Sequence, residues 1–141
     1  MQASGIALLG CLFPWRRKKS SSQIAYIRGP GKFAVDVVGE SFYQENLERI
    51  CGKRSEEGEN KLVTAALVCE DDNPKDKNAV RVDVAGFTVG YLSRKDAKDY
   101  RSELKQAKQG GTVLHCTAVI RGGWQRGKDV GHYGVKLDIP T

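Results

Sequence analysis

The sequence predicts an α+β domain whose small antiparallel sheet curls into an OB-like partial β-barrel with two helices. Short runs of β-branched and apolar residues are separated by clusters of Gly, Pro, Asn and Asp, which is typical of antiparallel strands joined by turns. Two other segments place apolar residues at helical spacing. The predicted order is β-α-β-β-β-α-β-β, and 141 residues leave room for one compact domain and a tail.

The tail is basic, and we expect residues 1–32 to form a flexible arm before a domain over 33–141. Residues 1–33 contain six Lys and Arg and no acid, whereas residues 34–141 contain 17 basic and 17 acidic residues. The domain itself is therefore neutral. The arm would either bind phosphate without sequence preference or remain a solvated tail. Its basic cluster is Arg16, Arg17, Lys18 and Lys19.

The targeting signals are weak. The apolar stretch GIALLGCLFPW is too short to span a bilayer and lacks the preceding positive residues of a secretion signal. LLGC resembles a bacterial lipoprotein cleavage box, but the basic cluster follows it, so a membrane anchor is the lesser alternative. We predict a cytoplasmic protein, nucleoid-associated if bacterial. The four cysteines are scattered without zinc-ligand spacing and are expected to be reduced thiols.

The elements of the domain follow in order from residue 33. KFAVDVVG predicts a strand that ends at Gly39, and QENLERIC predicts a short helix. KLVTAALVCE is apolar nearly throughout, which indicates a central strand. AVRVDV and TVGYL alternate and predict a hairpin whose inward side chains include Val80, Val82 and Val84.

A second helix and two strands complete the domain. Ser93 is the expected N-cap of an amphipathic helix, with Asp96 three residues on. TVLHCTAVIR and YGVKLDI then alternate as strands. The Gly-rich connection GGWQRGKDVGH between them carries Trp124 and Arg126.

The sequence shows no convincing catalytic site, and we predict a protein that is not an enzyme and needs no cofactor or metal. His115 and His132 have no nucleophile nearby in sequence, and GPGK lacks the rest of a P-loop. The acids of DDNPKDKN lack the ligand spacing of a calcium loop. A metal-dependent nuclease that uses Asp71, Asp72 and Asp76 is kept as a third hypothesis.

The segment DDNPKDKNAV is well explained as a turn. Asn73 and Asp76 are expected to accept hydrogen bonds from backbone N–H groups two residues on, and Pro74 favours a turn conformation. A rigid turn can also present a carboxylate to a ligand.

VVGESFY and ALVCEDDNPKDKNAVRVDVAGFTVGYLSRKDA together resemble a HIRAN domain, the small module at the amino-terminal side of SWI/SNF-class translocases that reverse replication forks. The resemblance runs from residue 33 to the end and is strongest over 67–97. It implies an OB-like fold that captures the free 3′ end of single-stranded DNA, with a role in DNA repair.

The resemblance also implies site residues. Phe42 matches an aromatic residue that stacks on a base, Asp76 matches the acid that accepts the terminal hydroxyl, and Arg94 would meet a phosphate. Ser41 and Lys75 stand where the family has an arginine and a tyrosine, and Tyr43, Trp124 or Tyr133 would supply a second stacking surface. The predicted DNA-binding residues are Ser41, Phe42, Asn73, Lys75, Asp76, Tyr91, Arg94, Trp124 and Arg126.

Two functions follow from this interpretation. The first is a non-catalytic module that binds single-stranded DNA or DNA ends; because no ATPase motif is evident, fork remodelling would need a helicase or ATPase partner. The alternative is a protein-interaction or adaptor module that keeps the fold without the DNA-end site, which the Ser41 and Lys75 replacements favour.

Overall fold

The computed structural model describes residues 24–140, with only the backbone of Ile24, and its centre is a closed antiparallel barrel. Its six strands are β2 (Val35–Val38), β3 (Glu59–Cys69), β4 (Val80–Val84), β5 (Phe87–Leu92), β6 (Val113–Gly122) and β9 (Tyr133–Asp138). They follow one another around the barrel in the order β6-β3-β4-β5-β2-β9, and β6 pairs with β9 to close the ring. The α+β, OB-like prediction is confirmed, and the sheet closes fully where a partial barrel was expected.

The barrel interior is filled by the inward residues of alternating strands. Val80, Val82 and Val84 of β4 are buried as predicted, and the intervening Arg81 and Asp83 face outward. Strands β6 and β9 follow the same alternation. Their inward buried side chains are Leu114, Cys116, Ala118, Ile120, Tyr133, Val135 and Leu137, and Val119 and Asp138 are buried outside this alternation.

Two helices pack against the barrel. Helix α1 (Gln44–Cys51) buries Leu47, and a short 3₁₀ helix (Glu40–Phe42) precedes it. Helix α2 (Arg94–Gln106) begins at Ser93, whose Oγ accepts a hydrogen bond from the Asp96 N–H at 3.1 Å. It buries Ala97, Tyr100 and Leu104, so the predicted N-cap and apolar face are confirmed.

Residues 24–26, within the predicted arm, form strand β1 (Ile24–Tyr26). It pairs in parallel with Val113 to His115 at the start of β6, and Ala25 is buried. Downstream, the Gly31 N–H donates to Asp138 Oδ1 at 2.8 Å. Packed structure therefore extends into the predicted arm. The basic cluster at 16–19 and the apolar stretch before it lie outside the described residues.

The Gly-rich connection between β6 and β9 forms a small hairpin of β7 (Gln125–Arg126) and β8 (Asp129–Val130). The sequence predicts only a loop there, because two-residue strands are too short to show alternation. No helix in the described part of the chain is long and apolar enough to cross a membrane.

Candidate nucleic-acid interface

Phe42 is exposed to solvent on the short 3₁₀ helix, and hydrogen bonds to strand β9 fix the position of this helix. Gly39 adopts a left-handed conformation (φ 78°) that ends β2 and turns the chain into the 3₁₀ helix. Glu40 Oε2 accepts the Val135 N–H at 3.0 Å, and Gln44 bonds both backbone groups of Tyr133. Phe42 itself is 85% exposed. An exposed aromatic on a fixed backbone is suited to stacking on a flat ligand.

The turn over 73–76 is held by its own side chains. Asn73 Oδ1 accepts hydrogen bonds from the N–H groups of Lys75 (2.9 Å) and Asp76 (3.1 Å). Asp76 Oδ1 accepts the Asn78 N–H at 3.0 Å. The predicted hydrogen bonds two residues on are therefore confirmed. Asp76 is half-buried and Lys75 is exposed.

Glu70, at the end of β3, holds this turn to the barrel. Its Oε1 accepts Asn73 Nδ2 at 2.9 Å and the Tyr91 hydroxyl at 3.0 Å, and its Oε2 accepts Arg81 Nη1 at 2.9 Å. Arg81 also bonds Asp83. Partial burial raises the pKa of the Glu70 carboxyl, but the hydrogen bonds from Asn73, Arg81 and Tyr91 outweigh it, so the pKa is lowered overall.

Tyr91 connects the turn to the helix that bears Phe42. On β5 it lies between Arg81 of β4 and Val38 of β2. Its ring lies 6.5 Å, centroid to centroid, from that of Tyr43, the residue after Phe42. Burial and the Glu70 carboxylate raise the pKa of Tyr91 to about 12, so its hydroxyl stays protonated and donates to Glu70. Tyr43, Tyr91 and Asn73 are thus linked on one outer face of the barrel, and Phe42 is the residue that precedes Tyr43.

Glu70 and Arg81 belong to this site, and neither was among the predicted binding residues. The sequence does contain an indication of Arg81, because the alternation of β4 places its side chain on the outer face of the sheet. An arginine there is expected either to pair with a carboxylate or to be solvated. Its pairing with Glu70 depends on the β3–β4 register, in which Val68 lies opposite Arg81. Sequence alone does not give that register.

Two more of the predicted residues lie at the surface around this face. Ser41 is exposed next to Phe42, and Arg94 is exposed at the first position of α2. Arg101, further along α2, donates to the carbonyl groups of Asn78 (2.8 Å) and Ala79 (2.9 Å), which ties the helix to the end of the turn.

Trp124 and Arg126 form a separate group. The Arg126 guanidinium lies 4.6 Å from the centre of the Trp124 ring, and its Nε donates to the Glu56 carbonyl at 3.2 Å. The Trp124 side chain packs on Gly131 and beside Gly58, just before β3 begins. The turn over 73–76 follows the other end of β3, roughly 30 Å away along that strand. The structure therefore does not bring these two residues to the turn that carries Asp76.

The acids of the turn have partners in the protein. Asp71 Oδ1 accepts Arg101 Nη1 at 2.7 Å, and Asp76 bonds the Asn78 N–H. Within residues 24–140, no group of three His, Cys, Asp or Glu side chains is close enough to hold a metal ion.

The described cysteines are free thiols. Burial is the main cause that raises the pKa of Cys51 to about 11 and of Cys116 to about 12, and it also raises the pKa of Cys69. His115 is half-buried beside Tyr26, with their ring centroids 5.7 Å apart, and His132 is exposed.

Comparison with known proteins places this architecture in a family. No curated protein matches the chain. A solved structure that matches, the crystal structure of the HIRAN domain of human HLTF, is 19% identical, with 73% of this chain and 70% of that chain covered and a TM-score of 0.36. The sequence model of the HIRAN domain matches residues 30–122, more than half of the 141 residues. The chain therefore belongs to the HIRAN family of DNA-binding domains, which are binding rather than catalytic domains.

Proposed function

We propose that this protein binds single-stranded DNA and prefers a strand with a free 3′ hydroxyl. One observation supports the proposal: Tyr43, the neighbour of the exposed Phe42, is linked through Tyr91 and Glu70 to Asn73 in the turn that carries Asp76. An aromatic surface beside a rigid carboxylate suits the last base and the terminal hydroxyl of a strand.

Each residue has a defined role in the proposal. Phe42 stacks on the terminal base, an interaction worth about 1 to 3 kcal/mol and tolerant of sequence. Asp76 accepts the 3′ hydroxyl with Oδ2, because Oδ1 is engaged by the Asn78 N–H. Lys75 and Arg94, both exposed, approach phosphates. Asn73 holds Asp76 in position, and Ser41, with no charge, leaves room beside Phe42.

The remaining parts of the chain would extend this binding. Trp124 with its stacked Arg126 offers a second aromatic surface, reached by a longer strand. The basic cluster at 16–19 adds affinity for phosphate without sequence preference. The protein acts without catalysis in the cytoplasm or nucleoid, and a helicase or ATPase partner supplies any strand movement.

The test is fluorescence anisotropy on the full chain with one oligonucleotide carrying either a 3′ hydroxyl or a 3′ phosphate. We expect the hydroxyl strand to bind at least about tenfold tighter, or about 1.4 kcal/mol. Asp76→Asn should abolish the difference, because the amide oxygen still caps Asn78 but the negative charge is lost. Asp72→Asn, an exposed acid in the same turn, is the matched control and should keep it.

The contribution of the arm to binding is distinguished from that of the domain by a variant in which Arg16, Arg17, Lys18 and Lys19 are changed to Ala. This variant should bind both strands more weakly and keep the hydroxyl preference. Equal binding of the two strands by the wild type would overturn end recognition. Absence of DNA binding would favour the alternative, a protein-interaction module that keeps the fold.

A further inference from the structure

Helix α2 separates its charges onto two flanks. Four of its five cations recur at intervals of four, three and four residues, which confines them to about 60° of the helix circumference. The fifth, Lys95, lies outside this arc. The acids Asp96, Asp99 and Glu103 lie on the opposite flank, and the buried Ala97 and Leu104 lie between the two. The cationic flank consists of Arg94, Lys98, Arg101 and Lys105.

Arg101 fixes the direction in which the cationic flank faces. Its guanidinium bonds the carbonyl groups of Asn78 and Ala79 and the carboxylate of Asp71, all in the segment that joins β3 to β4. The flank therefore lies alongside the same turn that carries Asp76. Lys75 and Lys77 are exposed on that turn and continue the positive surface.

The cations of this surface outnumber its acids. Six cations (four of the flank, with Lys75 and Lys77) stand against three carboxylates (Asp71, Asp72 and Asp76), so the formal charge is 6 − 3 = +3. Residues 34–141 as a whole are neutral, so this is a local concentration of charge. Lys98 and Lys105 are exposed and form no ion pair with any residue of the described region.

We propose that the cationic flank of α2 is a binding surface for the phosphate backbone of the strand whose end is held at the turn. This inference rests on the proposed function and adds the contacts of Lys98 and Lys105 to it. From Arg94 to Lys105 the helix rises about 16 Å, which spans several phosphates. Exposed lysines on a rigid helix provide point charges for phosphate without reading sequence.

The experiment measures the salt dependence of binding by the full chain to a 20-nucleotide strand with a 3′ hydroxyl. The variant is Lys98→Ala with Lys105→Ala. The control, Lys95→Ala with Lys53→Ala, removes the same charge from a position of α2 outside the cationic flank and from the loop after α1. Lys95 is paired with Asp99 at 2.8 Å, and Lys53 is exposed. Alanine favours helix, so circular dichroism should show unchanged folding.

We expect the slope of log K against log salt to become shallower by about 1.4 in the variant, at about 0.7 per single-strand phosphate contact, and to stay unchanged in the control. The variant should keep its preference for the hydroxyl strand. An unchanged slope, or an equal change in the control, would overturn the proposal.

The two proposals fail in different ways. If the wild type binds hydroxyl and phosphate strands alike while the slope change remains, end recognition is wrong and the phosphate surface stands. The same variant is also compared with the wild type for binding to poly-glutamate, which stands for an acidic protein segment. If the variant loses that binding but keeps the wild-type salt slope on DNA, the flank binds an acidic protein segment and the proposed phosphate surface is wrong.

Discussion

The Glu70 side chain fixes the turn over 73–76, which belongs to the proposed binding face, without being one of the proposed DNA contacts. It is partly buried and accepts hydrogen bonds from three residues of different elements. Asn73, which it holds, in turn positions the backbone of Lys75 and Asp76. A change at Glu70 should therefore reach Asp76 through Asn73.

The lowered pKa of Glu70 predicts an acid-sensitive stability. The folded protein binds this proton less tightly than the unfolded chain, so the contribution is present above about pH 4.5, the ordinary value, and is lost as pH falls through the folded pKa. Glu70→Gln should be less stable than the wild type at pH 7, and the difference should shrink toward pH 3. Urea unfolding at several pH values measures this, and a difference that is constant with pH would contradict it.

Among the individual residues of the site, those that make local contacts were predictable from the sequence. The hydrogen bonds of Asn73 and Asp76 span two or three residues, so turn chemistry alone identifies them. The contacts of Glu70 with Arg81 and Tyr91 span 11 and 21 residues. They depend on which strands are neighbours and in what register, and local pattern does not encode that.

Among the elements, β5 contains the irregularity that positions Tyr91. The β4–β5 register shifts between Val82 and Asp83, because Val82 lies opposite Gly90 and Asp83 opposite Thr88. The extra residue between them, Val89, forms a β-bulge, which changes the direction of the neighbouring side chains. A Cβ at Gly90 would lie 2.5 Å from Val37 Cγ1 and 2.6 Å from the Val38 carbonyl oxygen. Only glycine fits where β2 approaches β5 this closely.

We therefore predict that Gly90→Ala destabilises the fold by about 1 to 3 kcal/mol, because β2 must move away from β5. The same shift would displace Tyr91 and weaken DNA binding. Gly110→Ala is the control, since its Cβ would meet no atom within 4 Å, and it should change stability by less than about 0.5 kcal/mol. Chemical denaturation compares the two variants, and equal stability would show that β2 shifts without cost.

The elements that the sequence predicted are those with a recognisable apolar pattern. Strand β6 and helix α2 are each ten or more residues long with clear apolar spacing, and the eleven-residue β3 is nearly continuously apolar. Strand β1 has three residues and follows a charged, Ser-rich stretch, so composition favoured a disordered arm. Its structure comes from pairing with β6, a tertiary contact.

For the whole molecule, β1 bears on where the domain begins. Ala25 packs into the core, and Gly29 lies against Asp138, where a Cβ would clash. The charge-assisted hydrogen bond from Gly31 to Asp138 adds to this contact. We predict that a chain of residues 33–141 melts at least about 5 °C below a chain of residues 24–141. Thermal unfolding by circular dichroism compares them, and equal melting temperatures would place the start of the domain at 33.

Closure of the barrel also has a kinetic consequence. Val35 pairs with Leu137 and Ile24 with Val113, so the first described strands meet partners about 100 and 90 residues later in the chain. Such non-local pairing is slow, in the range of milliseconds to seconds for β-rich domains. During synthesis the barrel cannot close until β9 has left the ribosome. Until then, the edge of β2 that pairs with β9 has no hydrogen-bonding partner. The nascent chain is therefore most prone to misassociation just before β9 emerges.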